Sequence, residues 1–440
     1  MVKRPRGPRS VVPAPAIDLE TRALMYYLNH HLYAPAELQR LLGSVQDSVC
    51  QWANVTKYSA INLAISSMAL AVFSRTQQHP PAAVEAWGKY DQLLRTTRVA
   101  MPDLVHRDID AALLTIFLMS RYEDTMQTHH EGMSSTDFRS YVHHDGAAAI
   151  LKIWRERCLG KSESATDIIK QSRRGIIRSH LLRHLALPAW LADGALYGEY
   201  GLELEYDRLV VGVASLRHQF KSLQKEISSQ NDLTIDLSSW AQDISAEAAT
   251  LSKALRDWST RIPSTWHPQR HLIPAHHPLP SKHFYSSIVY IYPSIAYAAI
   301  WLHYYATSML LSRTRLRILE LVRPMSDDFS NQQQMLEEEC CATIRDMACA
   351  LSSSIPFALD KITVTESAKL PDRLDITPNF EKEVKPYLAN LVAWPLSLAS
   401  SVGGLDSEQR NWFRSELVCV GEAVGAGVLV LTHACDWLDL

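Results

Sequence analysis

The stretch Tyr141–Trp154, YVHHDGAAAILKIW, sets two imidazoles and a carboxylate side by side ahead of an apolar run. With His129, His130 and Glu131 just upstream, six residues of metal-ligating type fall within 17 positions. Successive residues on a helix point about 100° apart, which keeps His143 and His144 from sharing one ion. A structural reading accounts for more of the stretch. It puts Asp145 in the first turn of a helix, where its charge complements the dipole. Gly146 allows close packing, Ala147, Ala148 and Ala149 admit a neighbouring helix, and Ile150, Leu151 and Trp154 face a core. On that reading no metal is expected.

Other catalytic motifs are incomplete or missing from the sequence. An adjacent His-Asp pair also occurs in the helical metal-dependent phosphohydrolases, where His106 and Asp193 would have to supply the remaining ligands. The segment DDFSN (327–331) lacks the last acid of a magnesium motif of terpene cyclases, and DIDA (108–111) lacks a fourth carboxylate. There is neither a phosphate-binding glycine loop nor a Gly-x-Ser-x-Gly elbow. Five histidines lie in the loop 261–283, but its five prolines block the helical spacing that gathers ligands, so it reads as a connector. Seven cysteines in irregular spacing suit buried thiols rather than a zinc site or disulfides. No cofactor is expected.

The elements that must position these residues read as helices. Glycine is scarce, 16 in 440 residues, and long runs of Ala, Leu, Ser and Arg favour helix. The net charge of −3 gives no global reason to expect nucleic-acid binding. Residues 1–16 form a basic, proline-rich tail, and residues 17–440 a single large all-α domain of a dozen or more packed helices, without a convincing strand. The segment 59–75 is apolar nearly all round and should be central. Val84, Trp87, Leu94 and Val99 recur near helical spacing after Pro80 and Pro81. Leu209, Val213, Leu216, Phe220, Leu223 and Ile227 form one stripe. Trp240, Ile244, Ala248, Leu251, Leu255 and Trp258 form another, predicting an antiparallel helical hairpin near 205–260. Further helices are predicted over 283–322, 331–354, 384–403 and 407–434. Residues 285–312 carry no Asp, Glu, Lys or Arg, yet their tyrosines, serines and Pro293 suit a buried helix rather than a membrane span.

Several segments, in order, resemble the fungal-specific transcription factor regulatory domain. YVHHDGAAAILKIW resembles its His-x-x-Gly-Ala-x-x-Leu-Leu helix, with His143 and Gly146 on the matching positions. RRGIIRSHLLRHLALPAWL (173–191), YPSIAYAAIWLHYYATSMLLSRTRLRIL (292–319), LVAWPLSLASSVGGLDSEQRNWFRSEL (391–417) and VGEAVGAGVLVL (420–431) are similar to later helices. The resemblance implies a helical regulator that senses an effector or restrains an activator, tied to fungal secondary metabolism, in nucleus or cytoplasm. Such regulators usually begin with a six-cysteine zinc cluster. No cysteine precedes Cys50, so direct sequence-specific DNA binding is not expected. The expected partner is an apolar small molecule or a protein, with no membrane.

An apolar interior with polar aromatics could enclose a small molecule. Tyr122, His143, His144, Tyr297, Trp301 and His303 are the candidate cavity donors, each set beside an apolar run. The alternative function is a cofactor-free cyclase of pericyclic, Diels–Alder type on the same scaffold. It would need shape and one or two donors rather than a nucleophile.

Overall fold

The apolar segment beginning at Ser59 folds into a central helix, α2 (Ser59–Thr76), buried without interruption from Ser67 to Ser74. Burial on every side requires neighbours on every side. Those neighbours are α1 (Leu19–Tyr27), α3 (Pro80–Arg107), α4 (Ile109–Met126) and, from the far end of the chain, α13 (Ser407–Val424). A computed structural model describes residues 17–32, 58–127, 138–158, 164–229, 237–274, 279–322, 331–366 and 374–431. Among these the chain is predominantly α, with fourteen α-helices and two small two-stranded sheets. The tail 1–16, His129, His130, Glu131, His276, His277, residues 327–330, Cys50 and Cys435 lie outside the described residues.

Local chemistry sets many boundaries. Pro80 and Pro81 open α3, where a missing N–H costs nothing. Asp108 both ends α3 and caps α4, its carboxylate accepting from the Ala111 N–H at 3.1 Å. Thr166 caps α6 (Asp167–Arg183), which follows α5 (Ser140–Cys158). Helices α1 to α6 share one core, which also takes in Leu191 of the short α7 (Ala189–Ala192).

A second core gathers α8 (Gly201–Ser229), α9 (Leu237–Thr260), α10 (Ile295–Val322), α11 (Asn331–Ala358), α12 (Pro386–Ser401), α13 and α14 (Gly427–Val430). Leu187 and Val210 pack against both cores, and α14 lies on α4, so the two form one body. The predicted hairpin is α8 and α9. Trp258 reaches the Leu202 carbonyl, Gly212 abuts Leu251 and Gln219 bonds Glu247, an order that shows the pair antiparallel.

Three expectations need correction. Helix α3 forms, but Val84, Trp87, Leu94 and Val99 face solvent; Ala82, Ala86, Leu93 and Thr97 are the buried side, because small residues admit α2 closely. Strands are present. β1 (Gln269–Leu272) in the supposed connector pairs antiparallel with β2 (Ile288–Ile291), and β3 (Ile362–Glu366) pairs with β4 (Leu374–Pro378). The helix predicted from 283 therefore begins only at Ile295, after a β-branched and aromatic run closed by Pro293. The helix predicted over 407–434 breaks at Gly425, which takes a left-handed φ of 74°.

Candidate functional site

In the His-His-Asp stretch the three side chains go to three different helices. His143 Nε2 meets the Tyr90 hydroxyl on α3 at 2.9 Å. That hydroxyl donates to Glu123 at 2.8 Å, so His143 is assigned as the donor through Nε2. His144 Nε2 meets the Ser120 hydroxyl on α4 at 3.0 Å. Asp145 takes a forked pair from Arg183 on α6, at 2.6 and 3.1 Å. Burial pushes both imidazoles down to about 4, so both are neutral at pH 7. The triplet is a clasp for α5. Its helix begins five residues before Asp145, which therefore sits past the first turn and answers Arg183 rather than the dipole. Gly146 is not a tight approach either, since an added Cβ would meet only Ile116, at 4.0 Å.

Tyr122 stacks on Tyr90 with ring centres 3.9 Å apart, completing this corner of the first core. The phosphohydrolase parts are not assembled around it. His106 pairs with Arg157 at 2.7 Å, and Asp193 caps the turn Gly194–Tyr197 through the Ala195 N–H. Among the described residues no group of three or more His, Cys, Asp or Glu side chains is placed to hold a metal.

The other three candidates lie on α10. Tyr297 stacks on Trp266 at 4.7 Å, and the Trp301 indole N–H donates to the Trp266 carbonyl at 2.9 Å. Trp301, Tyr304 and Tyr305 stand at i, i+3 and i+4 and so share a face. They floor an open groove of about 550 Å³, into which these largely buried rings show only their edges. The β1–β2 pair supplies one wall, with Arg270 set opposite Tyr290 in register. Helix α11 supplies the other, with Asp346 and the exposed thiol of Cys349. The rim thus carries one positive and one negative side chain over an aromatic floor. Burial raises the Tyr305 phenol far out of the titrating range, so it stays a neutral donor.

Of the six sequence candidates, only Trp301 lines this groove. His303 is two residues on, about 200° around the helix, and faces α6 instead. There its Nε2 accepts from Arg178 at 3.3 Å, while Nδ1 donates to the Ala299 carbonyl at 2.9 Å. The six residues are therefore not gathered around one hollow: Tyr122, His143 and His144 belong to the first core, Trp301 to the groove, Tyr297 to the Trp266 stack beside it and His303 to the α6 side of α10. Tyr304 and Tyr305 were legible from WLHYY as an aromatic face. Arg270, Tyr290 and Asp346 carried no local signal, because strand pairing and the packing of α11 bring them in.

No helix among the described residues is long and apolar enough to cross a membrane. Comparison of the chain with family models, with curated proteins and with solved structures finds no match.

Proposed function

We propose that this chain is a ligand-responsive regulatory module of the fungal transcription-factor type, acting through a partner, and that its effector is an aromatic or largely apolar small molecule. The observation that carries the reading is the groove: Trp301, Tyr304 and Tyr305 beneath Arg270 and Asp346, in about 550 Å³. Four aromatic residues, counting Tyr290, offer flat apolar area at little rotamer cost. The two rim charges and the phenols can orient a polar edge. The helical motifs quoted above in their family order supply the regulatory half of the proposal.

The test is a gene replacement carrying Cys349→Trp, which fills the groove from an exposed position on α11. Transcripts of the neighbouring genes should fall while the protein remains at its normal level. Unchanged transcripts together with a lost metabolite would overturn the regulatory reading and point to a cyclase.

A further inference from the structure

Helix α6 carries four arginines, and three of them are matched by acids. Arg173 holds Asp207 at 2.7 and 2.9 Å, Arg174 holds Glu199 at 2.8 and 2.6 Å, and Arg183 holds Asp145 at 2.6 and 3.1 Å. Arg178 differs. Among the described residues its guanidinium meets His303 Nε2 at 3.3 Å and the indole face of Trp394 at 5.4 Å, and no carboxylate.

Among the described residues nothing else around it supplies negative charge. His303 already spends its Nδ1–H on the Ala299 carbonyl, and burial together with the Arg178 charge pushes it down to about 4, so it is neutral. Tyr206 on α8 bonds Thr307 of α10 at 2.7 Å, and burial raises its phenol to about 12. Arg174, one turn away on the same helix, adds a like charge. Burial lowers the guanidinium pKa of Arg178 without an acid to offset it, whereas at Arg174 burial acts the same way and Glu199 reverses the effect. Arginine nonetheless stays charged at neutral pH and has five N–H donors, of which His303 engages one. A partly desolvated cation held this way is costly unless an anion completes it.

We propose that Arg178 anchors a binding site for a small organic carboxylate, enclosed by α6, α8, α10 and α12. The carboxylate takes the free edge of the guanidinium in a forked pair. The indole of Trp394 fixes the guanidinium plane, and Tyr206 and Trp394 receive an aromatic or apolar body. Arg178, Tyr206, His303 and Trp394 are each half-buried, keeping part of their surface open to solvent. The site lies on the opposite side of α10 from the groove, and it stands whether or not the groove binds an effector.

Calorimetric titration of the full chain with benzoate, benzamide and inorganic phosphate tests the proposal. Benzoate should bind saturably with a Kd on the order of a millimolar, as suits a fragment-sized ligand. Benzamide, isosteric but uncharged, should bind roughly 10- to 100-fold more weakly, the value of hydrogen bonds to a charged group. Arg178→Met should abolish the benzoate response, and Arg178→Lys should weaken it by losing the fork. Equal binding of benzoate and benzamide would overturn the proposal. So would an unchanged benzoate affinity in Arg178→Met, or phosphate binding without benzoate binding. Should Arg178→Met fail to fold, the wild-type comparison still decides. A benzoate-induced fluorescence change that disappears in Trp394→Phe then locates the site, and one that persists places it elsewhere.

Discussion

Replacing Asp207 with alanine removes the counter-charge from the most deeply buried arginine of α6. Arg173 is fully buried, and Asp207 supplies both arms of its forked pair. After the change the guanidinium keeps the Leu191 and Ala192 carbonyls, at 2.9 and 3.2 Å, and the face of Tyr197. None of these carries a charge. Breaking a buried ion pair from one side costs about 3–5 kcal/mol, a large share of a folding free energy of about 5–15 kcal/mol. With an m-value near 3 kcal/mol per molar, the urea midpoint should fall by roughly 1–1.7 M. Asp145→Ala is the control. Asp145 itself is exposed and its partner Arg183 only half-buried, so the same chemical change should cost about 0–1 kcal/mol. Converting both partners, Arg173→Met with Asp207→Leu, should recover most of the loss, because the uncompensated charge is gone. Unfolding of Asp207→Ala at the same urea concentration as Asp145→Ala, or a double replacement that is the least stable of the three, would show that Arg173 does not depend on Asp207 for its counter-charge.

Acid should destabilise the fold through its neutral histidines. Burial depresses His143, His144 and His303 to about 4 and His31 to about 3, from an ordinary value of 6.5. As pH falls below 6.5 the unfolded chain takes up protons that the folded chain refuses. Each histidine then withdraws up to about 1.4 kcal/mol per pH unit until its folded pKa is reached. Urea midpoints at pH 7.5, 6 and 5 should therefore drop progressively, and a flat profile would contradict the burial of these rings. At Gly427 an added Cβ would lie 2.5 and 2.7 Å from the Gln127 and Thr125 carbonyl oxygens, backbone atoms that cannot swing aside, so Gly427→Ala should cost about 1–3 kcal/mol by forcing α14 off α4. Gly88 in α3 has nothing within 4 Å, and Gly88→Ala should stabilise by about 0.5–1 kcal/mol, with thermal melts of the pair showing opposite signs.

How much was legible depends on the range of the signal. The α8–α9 hairpin was readable because its two stripes keep helical spacing over several turns, with Leu209 to Leu223 of one and Ile244, Ala248, Leu255 and Trp258 of the other buried. Helix α3 was readable as a helix but not in orientation. It has two apolar faces, and Ala82 and Ala86 weigh little in a hydrophobic count yet decide which face meets α2. The β1–β2 pair was hidden by the prolines flanking it, since its partners are about twenty residues apart and only pairing makes them strands. The His-His-Asp stretch misled for a related reason. Adjacency along a helix disperses side chains, and the distant partners Tyr90, Ser120 and Arg183 define what each residue does. Arg178 stood in plain view within RRGIIRSHLLRH. Only the positions of Asp207, Glu199 and Asp145 reveal that it alone of the four lacks an acid.

Alkylation of Cys349 by a fluorescent maleimide, followed by peptide mass spectrometry, reports whether the groove between α10, α11 and the β1–β2 pair takes a guest. The thiol is exposed and lines the groove, while Cys341 on the same helix does not line it and serves as the internal reference. With 2-naphthol at about ten times its dissociation constant, the free fraction is about a tenth. Labelling of Cys349 should slow by roughly that factor and labelling of Cys341 should not. An unchanged rate at Cys349 under saturating 2-naphthol would mean that this aromatic surface is not a binding site.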